Sequence, residues 1–301
     1  EIGVRLVGSE MCIRDSIIGK EMYTFQDRGG QDLSLRPEGT AAVCRAYIEH
    51  GMQNSALPVR LFYYAPMFRY DRPQAGRYRQ LQQFGVEAIG DPDPALDLEV
   101  IELAMSSLQT LGLKSLRLVI NSIGDTVDRP SYIKALKKYL EPYYESLGKD
   151  DQRRLEINPL RILDSKDEKA TKIAEAAPKS TDFLGSAAKQ HWESLLKLLD
   201  FAEINYEIDH KLVRGLDYYT RTVFEIQPLD QGAQSTICAG GRYDGLIETL
   251  GGTPTPAIGW AAGVDRMILN LLKEEAGEVP LPSPSITMAY SGESPKLQSI
   301  S

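Results

Sequence analysis

PVRLFYYAPMFRYDRPQAGRYRQLQQFGVE, residues 58–87, decides how the rest of the chain is read. Two runs rich in Phe, Tyr, Val and Leu flank a polar loop, DRPQAGR, which carries Pro and Gly, and this is the pattern of a β-hairpin. Five arginines, Arg60, Arg69, Arg72, Arg77 and Arg79, stand against two acids, Asp71 and Glu87, in a chain whose net charge is -8. A basic hairpin in an acidic protein suggests a place for phosphates. Side chains alternate along a strand, so Arg79, Leu81, Gln83, Gly85 and Glu87 share one face. Gly85 is expected to leave that face open between an amide and a carboxylate, where a ligand can approach the backbone. A surface hairpin with solvated arginines is the other reading of the same pattern.

Working outward, 301 residues suffice for one large core and a smaller one, so two domains are expected. Charged residues at 25% and apolar residues at 42% are ordinary for a globular protein. No apolar run reaches the ~18 residues that a membrane helix needs, and no signal peptide is evident. Cys12, Cys44 and Cys238 are scattered and odd in number, which fits a reducing cytoplasm. Three histidines without paired Cys or His spacing argue against a structural zinc site. The acidic total argues against broad nucleic-acid binding but leaves room for a local contact with an RNA end.

On the N-terminal side, KEMYTFQDRGGQDLSLRP reads as a short hairpin turning at Gly29-Gly30. Pro37 then opens a helix with Ala42, Val43, Ala46 and Tyr47 inward, and Glu38 and Thr40 fall at the strand-to-helix corner. Glu38 there is either a ligand-facing carboxylate or an acid complementing the helix dipole. On the C-terminal side, GDPDPALD leads into an amphipathic helix with Leu98, Ile101, Met105, Leu108 and Leu111 inward, followed by the strand LRLVIN. Residues 128–204 are Lys-rich and helical, broken at Pro142, and read as an insertion between core strands. Its Lys137-Lys138 and Arg153-Arg154 pairs are either a solvated face or an RNA contact. YEIDHKLVRGLDYYTRTVFEI resumes the strands, with Gly215 bending the chain beside Arg214, an internal strand arginine that must be paired or catalytic. AGGRYDGL brings Tyr243 into a Gly-lined corner, and PAIGWAAGVDRMILNLLKEE is a strand followed by an amphipathic helix. Residues 274–285 have the composition of a linker.

MFRYDRPQAGRYRQLQQFGVE resembles motif 2 of the class II aminoacyl-tRNA synthetases, in the form of the histidyl-tRNA synthetase family. LSLRPEGTAA at 33–42, LVRGLDYYTRTVFE at 212–225, AGGRYDGL at 239–246 and GWAAGVDRMIL at 259–269 agree in order and spacing, and NPLRILDSKD at 158–167 also resembles that family. The resemblance covers roughly residues 17 to 272. It implies an α+β fold, with a class II antiparallel sheet flanked by helices and a helical insertion. The expected divisions are an unmatched segment 1–16, core residues 17–127, the insertion 128–204, core residues 205–273, and a linker with the start of an anticodon-binding domain at 274–301. Residues 1–16 match no family motif 1 and read as truncated or foreign sequence.

No GxxxxGK[ST] loop is present, so arginines must neutralise the ATP phosphates. The resemblance implies activation of histidine to histidyl-adenylate and transfer to tRNA(His), with Mg2+ accompanying ATP. It places Arg69 on the α-phosphate and the carboxylate, and Arg214 on the α-phosphate from the other side. Arg77 and Arg266 would hold the outer phosphates, with Arg266 and Leu81 beside adenine. Glu38, Thr40 and Gln83 would take the substrate ammonium, and Glu87, Tyr219 and Tyr243 the imidazole. Arg72 and Gln74 would meet the tRNA acceptor end, and the family's homodimer and cytoplasmic location are implied with it. Leu81 and Asp71 depart from the family's usual Phe and Glu. The alternative from a different class is a synthetase-like regulatory subunit of ATP phosphoribosyltransferase, whose motif 2 tends to be degraded. Arg69, Arg77, Arg214 and Arg266 favour the enzyme.

Overall fold

The computed structural model describes residues 4–5, 22–70, 76–165, 167–214, 218–229 and 236–274. Alternating Phe, Tyr and Val in the 58–87 stretch produce two ten-residue strands, β4 (Val59–Phe68) and β5 (Gln80–Ile89), paired antiparallel from Val59 opposite Ile89 to Phe68 opposite Gln80. Before them lie β1 (Val4–Arg5), β2 (Thr24–Gln26), β3 (Asp32–Ser34) and helix α1 (Thr40–Glu49). The turn between β2 and β3 is held by the Asp27 carboxylate, which accepts from the Gly29 and Gln31 amides, with Gly30 at positive φ.

After β5 come α2 (Pro94–Thr110), β6 (Leu116–Ser122), α3 (Arg129–Leu140), α4 (Lys149–Ile157), α5 (Leu160–Leu163), α6 (Glu168–Glu175) and α7 (Ser186–Phe201). The chain closes through β7 (Tyr206–Ile208), β8 (Thr220–Pro228), β9 (Cys238–Arg242), α8 (Leu246–Thr249), β10 (Ala257–Gly263) and α9 (Val264–Glu274). Among the described residues the main sheet has seven strands in the order β4-β5-β10-β9-β8-β6-β7. Every neighbouring pair is antiparallel except β6 and β7, so the sheet is mixed at that edge.

One face of the sheet is covered by α2 and α7. Their Leu96, Val100, Ile101, Ala104, Leu108, Trp192, Leu195 and Leu199 join Leu118, Ile120, Phe224 and Trp260 in the largest core. Two inward faces differ from the sequence reading. In α2 the buried stripe includes Leu96, Val100 and even Asp97, whereas Leu111 is exposed. In α1 it runs through Thr40, Cys44 and Tyr47, with Val43 only at its margin. Residues 132–177 bury a separate core of Tyr132, Leu136, Leu140, Leu155, Ile162 and Ala174, built by α3 to α6. Helix α7 belongs by packing to the sheet and not to this second core. Arg214, expected inside a strand, lies in the irregular segment between β7 and β8 instead.

Candidate active site

The last rung of the β4–β5 hairpin, Arg69 N–H to Arg79 C=O at 2.8 Å, fixes where motif 2 begins to splay. The RPEGT corner is tied to this end of β4. The Phe68 amide donates to the Arg36 carbonyl at 2.9 Å, and Arg69 Nε donates to the Pro37 carbonyl at 2.8 Å. Arg69 and Glu38 therefore come together, although 31 positions separate them in sequence. Both Glu38 oxygens accept from the first helical amides, Thr40 N–H at 2.8 Å and Ala41 N–H at 2.9 Å. The acid thus serves the helix terminus, and each oxygen keeps a further lone pair for another donor. Burial raises the Glu38 pKa against the lowering effect of those amides and of Arg69.

Glu87 forms the floor. It is fully buried, its Oε1 accepts from the Thr40 hydroxyl at 2.7 Å, and its Oε2 accepts from the Tyr243 hydroxyl at 2.5 Å. Burial pushes its pKa up to about 8 in spite of those two donors, and the charge on Glu38 adds to the rise. Gly259 on β10 lies directly across from Glu87, and a Cβ there would collide with Oε2. That glycine makes room for the carboxylate.

The expectation that Gly85 leaves an open face is corrected by Tyr63. Tyr63 pairs with Gly85 across the hairpin, and its ring fills the space that a Cβ at Gly85 or at Gly39 would take. A large ring over a facing glycine recovers packing area that the glycine cannot supply. The Tyr63 hydroxyl is buried beside Thr40, near Glu87, Glu38 and Tyr219. Sequence reasoning missed this residue, and the signal was available: Tyr63 and Gly85 are equidistant from the hairpin loop. Tyr218, Tyr219 and Tyr243 complete the wall, with the Tyr218 ring centroid 4.8 Å from that of Tyr219 and 6.0 Å from that of Tyr243. Burial raises the pKa of all three phenols, so each remains a neutral donor at neutral pH.

Arg214 reaches the same wall, its guanidinium 5.6 Å from the Tyr219 centroid and its Nη1 donating to Glu225 Oε1 at 2.5 Å. Its Nε is buried and has no hydrogen-bond partner among the described residues. The other Glu225 oxygen accepts from the Thr236 hydroxyl at 2.6 Å, and the Thr236 carbonyl accepts from Arg266 at 2.6 Å. Arg266 also donates to the Gly76 carbonyl at 3.0 Å, which anchors the returning end of the motif 2 loop. Arg77 and Leu81 are half-buried on that return, and Gln83 is buried, its Oε1 unpartnered among the described residues. Glu225 and Thr236 are a second pair that the sequence did not single out. Arg72, Gln74 and Asp71, and Gly215 beside Arg214, lie outside the described residues.

The arrangement joins buried carboxylates and phenols to the guanidinium groups of Arg69 and Arg214. The family model of histidyl-tRNA synthetase matches residues 13–267. This chain belongs to the histidyl-tRNA synthetase family. The activity that goes with this membership is histidine–tRNA ligation. A histidine–tRNA ligase of Dehalococcoides mccartyi is 55% identical over 284 residues, 94% of this chain and 68% of that protein. One from Gloeothece citriformis is 51% identical, with 94% of this chain and 66% of that protein covered. Among solved structures, histidyl-tRNA synthetase from S. aureus aligns with a TM-score of 0.70 and 42% identity, covering 93% of this chain and 65% of that one. A protein from Bacillus halodurans, described as an ATP phosphoribosyltransferase regulatory subunit/histidyl-tRNA synthetase, is 25% identical with a TM-score of 0.61, over 85% of this chain and 70% of that one. The family match begins ahead of Ile17, within the segment that the sequence reading set apart.

Proposed function

We propose that the pocket activates histidine with ATP and passes the acyl group to the terminal ribose of tRNA(His). Glu87, held between the Thr40 and Tyr243 hydroxyls, is the observation that carries this reading. A polar pocket floor that can hold or release a proton near neutrality suits an imidazole, which titrates in the same range. Tyr219 and Tyr243 offer phenols to the ring nitrogens, while Glu38, Thr40 and Gln83 face the ammonium. Arg69 would align the histidine carboxylate with the α-phosphate, and Arg214 would stabilise charge on that phosphate from the opposite side. Both act by placing fixed positive charge where negative charge develops. Arg77 and Arg266 would hold the outer phosphates, with Leu81 and Arg266 beside adenine.

Mg2+ would arrive with the ATP phosphates. Among the described residues no group of three or more His, Cys, Asp or Glu side chains is arranged to hold a metal. Arg72 and Gln74, in the motif 2 loop, would meet the tRNA acceptor end. Among the described residues β4 is the outer strand of the sheet and exposes Phe62 and Tyr64, an apolar surface that supports the family's homodimer. Among the described residues no helix is long and apolar enough to cross a membrane. A cytoplasmic location fits the two buried free thiols, Cys44 and Cys238.

Pyrophosphate exchange into ATP tests the reading. The chain should catalyse exchange only when histidine is present. A folded chain that binds histidine yet shows no histidine-dependent exchange would transfer the assignment to the regulatory-subunit alternative.

A further inference from the structure

Behind the pocket, on the opposite side of the sheet from Glu87, lies a buried charged cluster that the chemistry above does not use. Arg242 ends β9, and Tyr243 follows it with its amide still donating to the Ala257 carbonyl at 2.8 Å, so the two side chains leave the backbone in opposite directions. Tyr243 enters the pocket. Arg242 is fully buried, with Nε donating to Asp97 Oδ1 at 2.7 Å and Nη1 to Asp244 Oδ1 at 3.1 Å. Its Nη2 donates to the Asp91 and Asp93 carbonyls at 3.0 Å and 3.2 Å. Asp97, also fully buried on α2, receives the Thr222 hydroxyl at 2.6 Å and lies 2.8 Å from His191 Nε2 on α7. Asp244 closes the arrangement, taking the Ala257 amide at 3.1 Å while its own amide donates to the Thr220 hydroxyl at 3.2 Å.

We propose that Asp97, Arg242, His191 and Thr222 are positioning residues that hold Tyr243 against Glu87 and so set the affinity for histidine. The proposal rests on the Glu87–Tyr243 pair being the imidazole site. Charges taken fully out of water cost several kcal/mol each and give little net stability even when paired. Apolar residues could fill the same volume, so the cluster needs a role beyond stability. Its geometry supplies one, because Arg242 and Asp244, which flank Tyr243, are pinned from α2, β8 and β10, while His191 on α7 braces Asp97. β8 itself is distorted to take part. A bulge between Thr220 and Val223 leaves Arg221 at φ 47, a conformation that L side chains rarely adopt. The Arg221 guanidinium is fixed there by both oxygens of Asp125, at 2.8 Å and 3.1 Å. With that bulge, Thr220 reaches Asp244 and Thr222 reaches Asp97.

Calorimetric titration of the chain with histidine and, separately, with ATP tests this, alongside thermal unfolding. Thr222→Val keeps the shape and deletes one donor to Asp97. It should raise the histidine Kd about five- to tenfold, the worth of one buried hydrogen bond, and leave the ATP Kd unchanged. Thr222→Ser should restore histidine binding, and His191→Gln should reproduce the selective loss in part. Equal changes for both ligands, or lowered melting with unchanged histidine affinity, would overturn the positioning role. Tyr243→Phe distinguishes failure of the cluster's role from failure of the imidazole site. If Tyr243→Phe leaves histidine binding intact, the imidazole assignment itself fails. If only Tyr243→Phe weakens it, the assignment stands and the cluster is structural.

Discussion

Glu87→Gln replaces the pocket carboxylate by a neutral group of the same shape. The Glu87 pKa rises from 4.5 to about 8 in the folded chain, chiefly through burial. Folded protein therefore holds this proton across a range where the unfolded chain has released it. Where the folded state binds more protons, stability falls as pH rises. The contribution of Glu87 is fully present below pH 4.5, decays between 4.5 and 8, and is gone above 8. Each pH unit between those two values is worth about 1.4 kcal/mol, so the loss across the window is about 5 kcal/mol, of which about 3 kcal/mol has occurred by pH 7. Glutamine cannot ionise, so the variant escapes the decline. In urea unfolding, Glu87→Gln should match the parent at pH 4.5 and exceed it by about 3 kcal/mol at pH 7. Histidine binding should move the opposite way, weakening by about 1.5–3 kcal/mol, because glutamine can neither pass a proton to the bound imidazole nor carry the charge that would then pair with it, while ATP binding is little changed. Parallel stability curves for the two proteins from about pH 5 to about pH 8.5 would refute the reasoning, because they would mean that Glu87 is ionised throughout and that burial is not felt.

Arg69→Ala should reduce adenylate formation by ~10²–10³, the usual value of a donor aimed at developing charge, and near-normal turnover would remove Arg69 from the role. Gly259→Ala would drive a methyl into Glu87 Oε2 and bring it to 2.5 Å from the Val86 carbonyl. It should abolish histidine binding and lower the unfolding midpoint, and a variant that binds normally would show that β10 can yield. Leu81→Phe should tighten ATP binding by about 1 kcal/mol by giving adenine an aromatic face. An unchanged or weaker ATP Kd by calorimetry would mean that Leu81 does not line that face.

The hairpin at 58–87, the helix after Pro37 and the strand-helix unit at 257–274 were legible from the chain alone, because periodicity and turn residues act over a few positions. Arg69, Arg77, Arg214, Arg266 and Glu87 could be named as candidates from the chain too, since they fall within the family's motifs. The buried polar layer was not. Asp97 lies on a helix where an acid is expected to face water, and only its distant partners Arg242, Thr222 and His191 make its burial tolerable. Glu225 likewise acquires its place through Arg214 and Thr236. Tyr63 becomes part of the pocket because register sets it opposite Gly85. Helix α7 reads as one more helix of the insertion, yet Trp192, Leu195 and Leu199 meet α2 and the sheet. Local pattern fixes which elements form and which residues can carry charge. Which charge meets which is decided by contacts between residues 11 to 156 positions apart, beyond the few positions over which local rules act.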